Sequence, residues 1–112
     1  VTPVNIQPYT VCLAKFRFLE SDKHKLRPII IVGYPHGIRR ILIAIPISSS
    51  SEAEPIDIVL QNWHAAGLLK ASVARVHRLS AIMQEDLIEA IGSIDKKDQA
   101  AIRLALKELL LL

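Results

Sequence analysis

The order of apolar patterns along the chain predicts an α+β fold, mainly β, with several short strands first and helices last. Three observations carry this expectation. Residues 10–19 alternate apolar and polar side chains with period two. Residues 27–34 and 38–47 are nearly continuous apolar runs rich in isoleucine, the composition of central strands. Residues 95–112 instead repeat apolar side chains at helical spacing. A doubly wound fold needs helices between its strands, and residues 1–60 leave room for none. The architecture is therefore α+β, or a small barrel carrying a C-terminal helix, in a single domain over residues 1–112.

Each element has its own justification. In the first strand Cys12, Ala14, Phe16 and Phe18 share one face, and Leu13, Lys15 and Arg17 the other. Residues 20–25 form a polar loop without an apolar side chain. Pro28 opens the second strand, where a missing N–H is tolerated. Gly33, Tyr34, Pro35, His36 and Gly37 supply a turn before the third strand. Residues 48–55, with four successive serines, read as a flexible connection. A short strand follows at 56–60, then an irregular stretch at 63–69 with one helical turn ended by Gly67. Residues 72–82 read as one strand of imperfect alternation, and 84–91 as a short helix with Gly92 in the usual stop position. Asp95 begins the last helix, with Asp98 in an acidic first turn. Ile102, Ala105, Leu106, Leu109 and Leu110 then share a face, and the leucine-rich end 109–112 exceeds what one face needs, which suits a subunit interface.

Composition narrows the function classes. Hydrophobic residues make up 51% of the 112 and aromatics only 4%, so the core is aliphatic. A domain of this size buries roughly two-thirds of its unfolded surface, enough for a core without staples. The one cysteine, Cys12, excludes an intramolecular disulfide and a cysteine metal cluster, and favours a reducing, cytoplasmic setting. No signal peptide is visible, and the chain opens on Val1, so a few preceding residues are expected. The most apolar stretch, 29–47, is broken by Pro35, Gly37, Arg39 and Arg40 and does not read as a membrane span. Net charge is +3, but its distribution is uneven. Lys15, Arg17, Lys23, Lys25, Arg27, Arg39 and Arg40 are opposed only by Glu20 and Asp22, so this segment carries the whole positive excess. Such a patch suits a polyanion such as RNA, or is simply a solvated face.

Arg27 follows a polar loop and precedes a rigid strand. A planar, permanently charged fork there suits phosphate; an arginine whose stem packs and whose head is solvated is the plainer alternative. A hairpin returning from 27 to 48 would bring Ser48 and Ser49 close to it, and hydroxyls can hold phosphate oxygens. A serine run is also the usual composition of a linker. His24, His36, His64 and His77 show no recognised metal-ligand spacing and read as ordinary loop or strand residues. Phe16 and Phe18 could stack bases, but in so aromatic-poor a chain they also suit the core. Trp63 reads as a loop anchor.

The order of these motifs resembles the MazF/PemK family of toxin endoribonucleases. Phe16-Arg17-Phe18 through Lys25-Leu26-Arg27-Pro28 is similar to that family's first strand, loop and Lys-x-Arg-Pro entry. Pro46-Ile47-Ser48-Ser49 resembles its Pro-Ile-Thr-Ser strand end. The run Ala66-Gly67-Leu68-Leu69-Lys70-Ala71-Ser72-Val73-Ala74-Arg75 resembles its Ala-Gly-Leu-Leu-Lys-x-Ser-x-x-Arg segment. The resemblance covers residues 9–109. It implies an SH3-like small β-barrel with a short helix and a C-terminal helix, in a homodimer. It also implies metal-independent cleavage of single-stranded RNA, without a cofactor, and neutralisation by a cognate antitoxin whose disordered tail covers the RNA groove. By motif match, Arg27 stands as the catalytic arginine and Ser48 where the family has a catalytic threonine. Arg17, Phe18, Lys25, Ser49 and Arg75 then stand as RNA-binding residues. Arginine is a poor general base. His24 is a possible proton acceptor that the resemblance does not support. A rival class stays open: a non-catalytic SH3-like binding module or a toxin that inhibits a protein target. An inactive RNA-binding relative is the third reading.

Overall fold

The computed structural model describes residues 6–17, 23, 25–50 and 52–112. The expected Phe18, the proton-acceptor candidate His24 and most of the polar loop lie outside the described residues. The chain runs β1 (Thr10–Phe16), β2 (Lys25–Ile31), β3 (Ile41–Ser48), β4 (Ile58–Val59) and β5 (Val73–Ala74). A 3₁₀ turn (Val76–Arg78), β6 (Ser80–Met83), a second 3₁₀ turn (Gln84–Asp86), β7 (Leu87–Ser93) and helix α1 (Lys96–Leu110) follow. A mainly β sheet with a C-terminal helix is the class that the sequence predicts.

The seven-stranded sheet has the order β4-β5-β3-β2-β1-β7, and β6 pairs β3 alongside β5. The apolar runs of β2 and β3 follow from burial on both faces. Ile30, Ile45 and Ile47 face one cluster, with Val11 and with Ile102 and Ala105 of α1. Their alternate neighbours Ile29, Ile31, Leu42 and Ala44 face a second cluster, with Cys12, Ala14 and Phe16 of β1, Ile82 and Leu87. Period two thus sorts one continuous run into two cores. Phe16 is a core residue, only 7% exposed. Burial pushes the Cys12 thiol up to about 11, so it is inert packing.

The sheet is strongly curled. β6 and β7 lie on opposite edges of the β3-β2-β1 trio, yet only Gln84–Asp86 joins them. A flat sheet would hold them about 19 Å apart, at about 4.8 Å per strand. A 3₁₀ turn rising about 2.0 Å per residue does not reach that far. The curl also brings Lys15, Phe16 and Arg17 into one depression with Ser80, Ala81, Ile82 and Met83. Among the described residues no ladder joins the sheet's two ends, so closure into a barrel does not appear in the pairing.

Three local expectations are corrected. Residues 72–82 are not one strand, because β3 changes partner: Ala44 pairs with Ser80 of β6, while Ile47 pairs with Ala74 of β5. Pro46 sits at that change, where its missing N–H costs no bond to the outer neighbour, and its carbonyl accepts the Arg75 N–H. The chain crosses the gap as the 3₁₀ turn Val76–Arg78. Residues 84–91 are not a helix. The open edge of β1 outcompetes local helix propensity and takes 87–93 as β7, with two register shifts. Gly92 accordingly stops no helix: a Cβ there would overlap the Ala66 backbone, and one at Gly67 (φ +79°) would overlap the Ile91 carbonyl. Residues 61–67 therefore press directly on β7. Finally, Leu110 leaves the buried helix face and is 48% exposed.

α1 begins as expected. Asp95 caps it by accepting the Asp98 N–H at 2.9 Å. Asp98 lies in the acidic first turn, as expected, and is also buried, accepting the Gln61 and Asn62 N–H groups at 3.0 and 3.1 Å. It ties α1 to the loop 61–67. Among the described residues no helix is long and apolar enough to cross a membrane.

Candidate functional site

The site grows from the β2/β3 register. Ile29 faces Pro46 across the ladder, and continuing two residues outward leads from Ile29 to Arg27 and from Pro46 to Ser48. Both are half-buried, and both line one cleft of about 790 Å³. Ser49, Ser50, Lys70 and Ser72 add polar groups to it, and Leu13, Leu26, Pro28, Ile47, Leu68, Leu69 and Ile91 its apolar floor and rim. Among the described residues its lining holds two cations and no carboxylate, so it favours an anion. Lys70 follows Gly67 out of the loop that Asp98 and the Gly67–Gly92 contact hold in place.

Ser48 also lines a second cavity of about 490 Å³, with Ser50, Glu52, Ala53, Glu54, Arg75 and Arg78. The two cavities share Ser48 and Ser50. At this boundary Arg75 Nε donates to Ser48 Oγ at 2.9 Å, and Arg75 Nη1 donates to Asp57 Oδ2 at 3.0 Å. Asp57 Oδ1 lies 2.7 Å from His77 Nδ1, and Asp57 Oδ2 accepts the Glu54 N–H at 3.1 Å. Burial alone would raise the Asp57 carboxyl, but the bonds from His77, Arg75 and the Glu54 N–H outweigh it. The group sits below its ordinary value of 3.8.

The predicted residues thus separate into three groups. Arg27, Ser48 and Ser49 meet in one cleft, and Arg75 reaches Ser48 from the adjoining cavity. Arg17 lies elsewhere, in a separate depression of about 320 Å³ with Lys15 and Asp86. Lys25 is exposed at the start of β2, opposite Phe16, and is not among the residues lining the cleft. Trp63 is half-buried against the core and stacks on His64, with centroids 3.6 Å apart. Sequence reasoning missed Asp57 and His77. The signal for Asp57 was a lone carboxylate inside Ile56-Asp57-Ile58-Val59-Leu60, which folds only if a cation meets it. His77 carried no such signal.

A family model described as PemK-like, MazF-like toxin of type II toxin–antitoxin system matches residues 7–110. The chain belongs to this family. Its fold is similar to that of the Mycobacterium tuberculosis toxin MazF-mt6, at TM-score 0.69 and 20% identity over 92% of this chain and 97% of that one. It is also similar to a Deinococcus radiodurans MazE–MazF structure (TM-score 0.73, 16% identity, 96% and 97% covered). A third similar fold is a mycobacterial endoribonuclease in complex with its cognate antitoxin (TM-score 0.69, 15% identity, 96% and 97% covered). Among proteins with curated descriptions, none matches the chain significantly. At these identities the solved structures speak for the fold; membership rests on the family match along the chain.

Proposed function

We propose that this family member is a metal-independent endoribonuclease that cleaves single-stranded RNA as the toxin of its pair. The observation that carries the reading is the shared cleft of Arg27 and Ser48, lined among the described residues by cations and hydroxyls without a carboxylate. The RNA 2′-oxygen attacks the adjacent phosphorus, the P–O5′ bond breaks, and the products carry a 2′,3′-cyclic phosphate and a 5′-hydroxyl. The 2′ proton leaves as the P–O2′ bond forms, and the departing 5′ oxygen takes one up. Arg27 neutralises charge growing on the non-bridging oxygens. One such donor is typically worth about 3 to 4 kcal/mol. Ser48 supplies a hydroxyl at the same phosphate, and Lys70 a second cation on the cleft wall. Ser49 extends the polar lining, and Arg75 backs Ser48 from the adjoining cavity, where Arg78 also stands.

The curled sheet is read as an SH3-like barrel whose seam runs by β6 and β7. The protein is taken to act in the cytoplasm, as a homodimer, and to be neutralised by a cognate antitoxin. Two features support these partners. Solved relatives are described as MazE–MazF complexes and as an endoribonuclease with its cognate antitoxin. Leu104, Leu111 and Leu112 stand 68%, 91% and 86% exposed, an apolar surface that a second subunit would cover. The cleft's apolar floor favours one further reading, a toxin that binds a protein segment there without turnover.

Expression of wild type and Arg27→Ala in a bacterial host separates the readings. Growth arrest with RNA fragmentation, lost in the variant, is the expected result. Arrest with intact RNA would mean a binding toxin.

A further inference from the structure

Ser48 is held from behind by a buried ion pair. The Asp57 side chain is fully buried and that of Arg75 is 11% exposed. We propose that Asp57 is a positioning residue for Ser48, acting through Arg75, and that it commits the Ser48 hydroxyl to donating toward the phosphate in the cleft. The inference rests on the ribonuclease reading of that cleft and deepens it at Ser48.

The carboxylate is saturated. Oδ2 accepts from Arg75 Nη1 and the Glu54 N–H. Oδ1 meets His77 Nδ1 at 2.7 Å and the His77 N–H at 3.5 Å. An ionised carboxylate offers about four acceptor sites, so Asp57 cannot turn without breaking several bonds. It thereby fixes the guanidinium, whose plane is set by Asp57 at Nη1 and by Ser48 at Nε. The Arg75 backbone N–H is anchored in turn to the Pro46 carbonyl at 2.9 Å, two residues before Ser48 on the same strand.

An arginine Nε–H can only donate, so Ser48 Oγ accepts there. The hydroxyl proton must point elsewhere, and Ser48 lines two cavities, the cleft with Arg27 being one. A cationic donor on Oγ polarises the remaining O–H and strengthens it as a donor. With one of its two lone pairs held by Arg75, Ser48 then donates a hydrogen bond to a non-bridging phosphate oxygen, beside Arg27. No bond to Ser48 forms or breaks. Arg75, nearly enclosed and spent on these bonds, orients Ser48 from the second cavity. A lysine in its place would keep the charge but lose the fork that spans Asp57 and Ser48.

The test is a double-mutant cycle on the full chain with single-stranded RNA oligonucleotides, using Asp57→Asn, Ser48→Ala and both together. Asp57→Asn is expected to lower kcat roughly 10- to 100-fold, with KM changed less than about twofold. In the Ser48→Ala background the same substitution should change kcat less than about twofold. Equal losses in both backgrounds would overturn the proposal, since Asp57 would then act on the fold at large. The Arg75 Nε–H resonance of ¹⁵N-labelled protein gives a readout independent of turnover. A slowly exchanging signal is expected in wild type, shifted in Ser48→Ala and lost in Asp57→Asn. If wild type cleaves no RNA, the ribonuclease reading fails by itself and this resonance decides the positioning claim. An Nε–H unchanged by Asp57→Asn sinks it.

Discussion

Arg27 and Ser48 make different demands on a substitution. Arg27→Ala removes a fixed charge at the start of a strand, not a core side chain, so folding should survive while kcat for RNA cleavage falls roughly 10²- to 10³-fold. Single-turnover kinetics with a circular-dichroism melt checks both halves. Ser48→Thr keeps the hydroxyl and adds one methyl beside open cavities, so it should retain more activity than Ser48→Ala, whose lowered kcat stays measurable. Asp57 sets the acid limit. Its carboxyl lies below the ordinary 3.8, so the folded state prefers it ionised. Its contribution to stability is complete above that ordinary value and is lost as pH falls below it, through the lowered folded value. Denaturant midpoints of wild type should drop over this acid window more steeply than those of Asp57→Asn.

At the scale of elements, the loop 61–67 is the piece that turns a curled sheet into a cleft. It is clamped from α1 by Asp98 and seated on β7 through two glycines. Gly92→Ala drives a methyl into the Ala66 backbone and should cost about 1–3 kcal/mol or more in chemical denaturation. Asp98→Ala orphans the Gln61 and Asn62 N–H groups and should cost about 1–3 kcal/mol. Both should weaken RNA binding, because Lys70 stands at the end of that loop. These same elements show where the sequence was readable. Strands with period two or with unbroken isoleucine runs were legible, since burial on one or both faces writes itself into the pattern. The Arg27–Ser48 pairing was legible because a hairpin register is short-range. β7 was not, because its residues favour a helix by propensity and become a strand only when β1 offers an edge. The Asp57–Arg75 pair joins positions 18 apart in sequence through a partner change in β3, which no local pattern announces. Arg17 shared the cation-rich segment with Arg27, yet strand direction and curl carried it to another depression.

For the whole molecule, a net charge of +3 conceals a locally basic region and a cleft that Arg27 and Lys70 line. Binding of a non-cleavable single strand should therefore weaken with salt. The slope of log K against log salt should fall by about 0.7 for each phosphate-contacting cation removed. Arg27→Ala and Lys70→Ala should each reduce the slope by about that amount, and Arg103→Ala, on the exposed surface of α1, should leave it unchanged. Fluorescence anisotropy across a salt series reads all three.

The claim underlying all of this is that RNA supplies its own nucleophile in the cleft that Arg27 and Ser48 share. End analysis of fragments made by the purified protein in excess EDTA tests it directly, with matched all-ribose and fully 2′-methoxy oligonucleotides as substrates. The account predicts cleavage of the ribose strand alone, with 2′,3′-cyclic phosphate and 5′-hydroxyl ends, and none by Arg27→Ala. Cleavage of the 2′-methoxy strand, or 5′-phosphate ends, would contradict it.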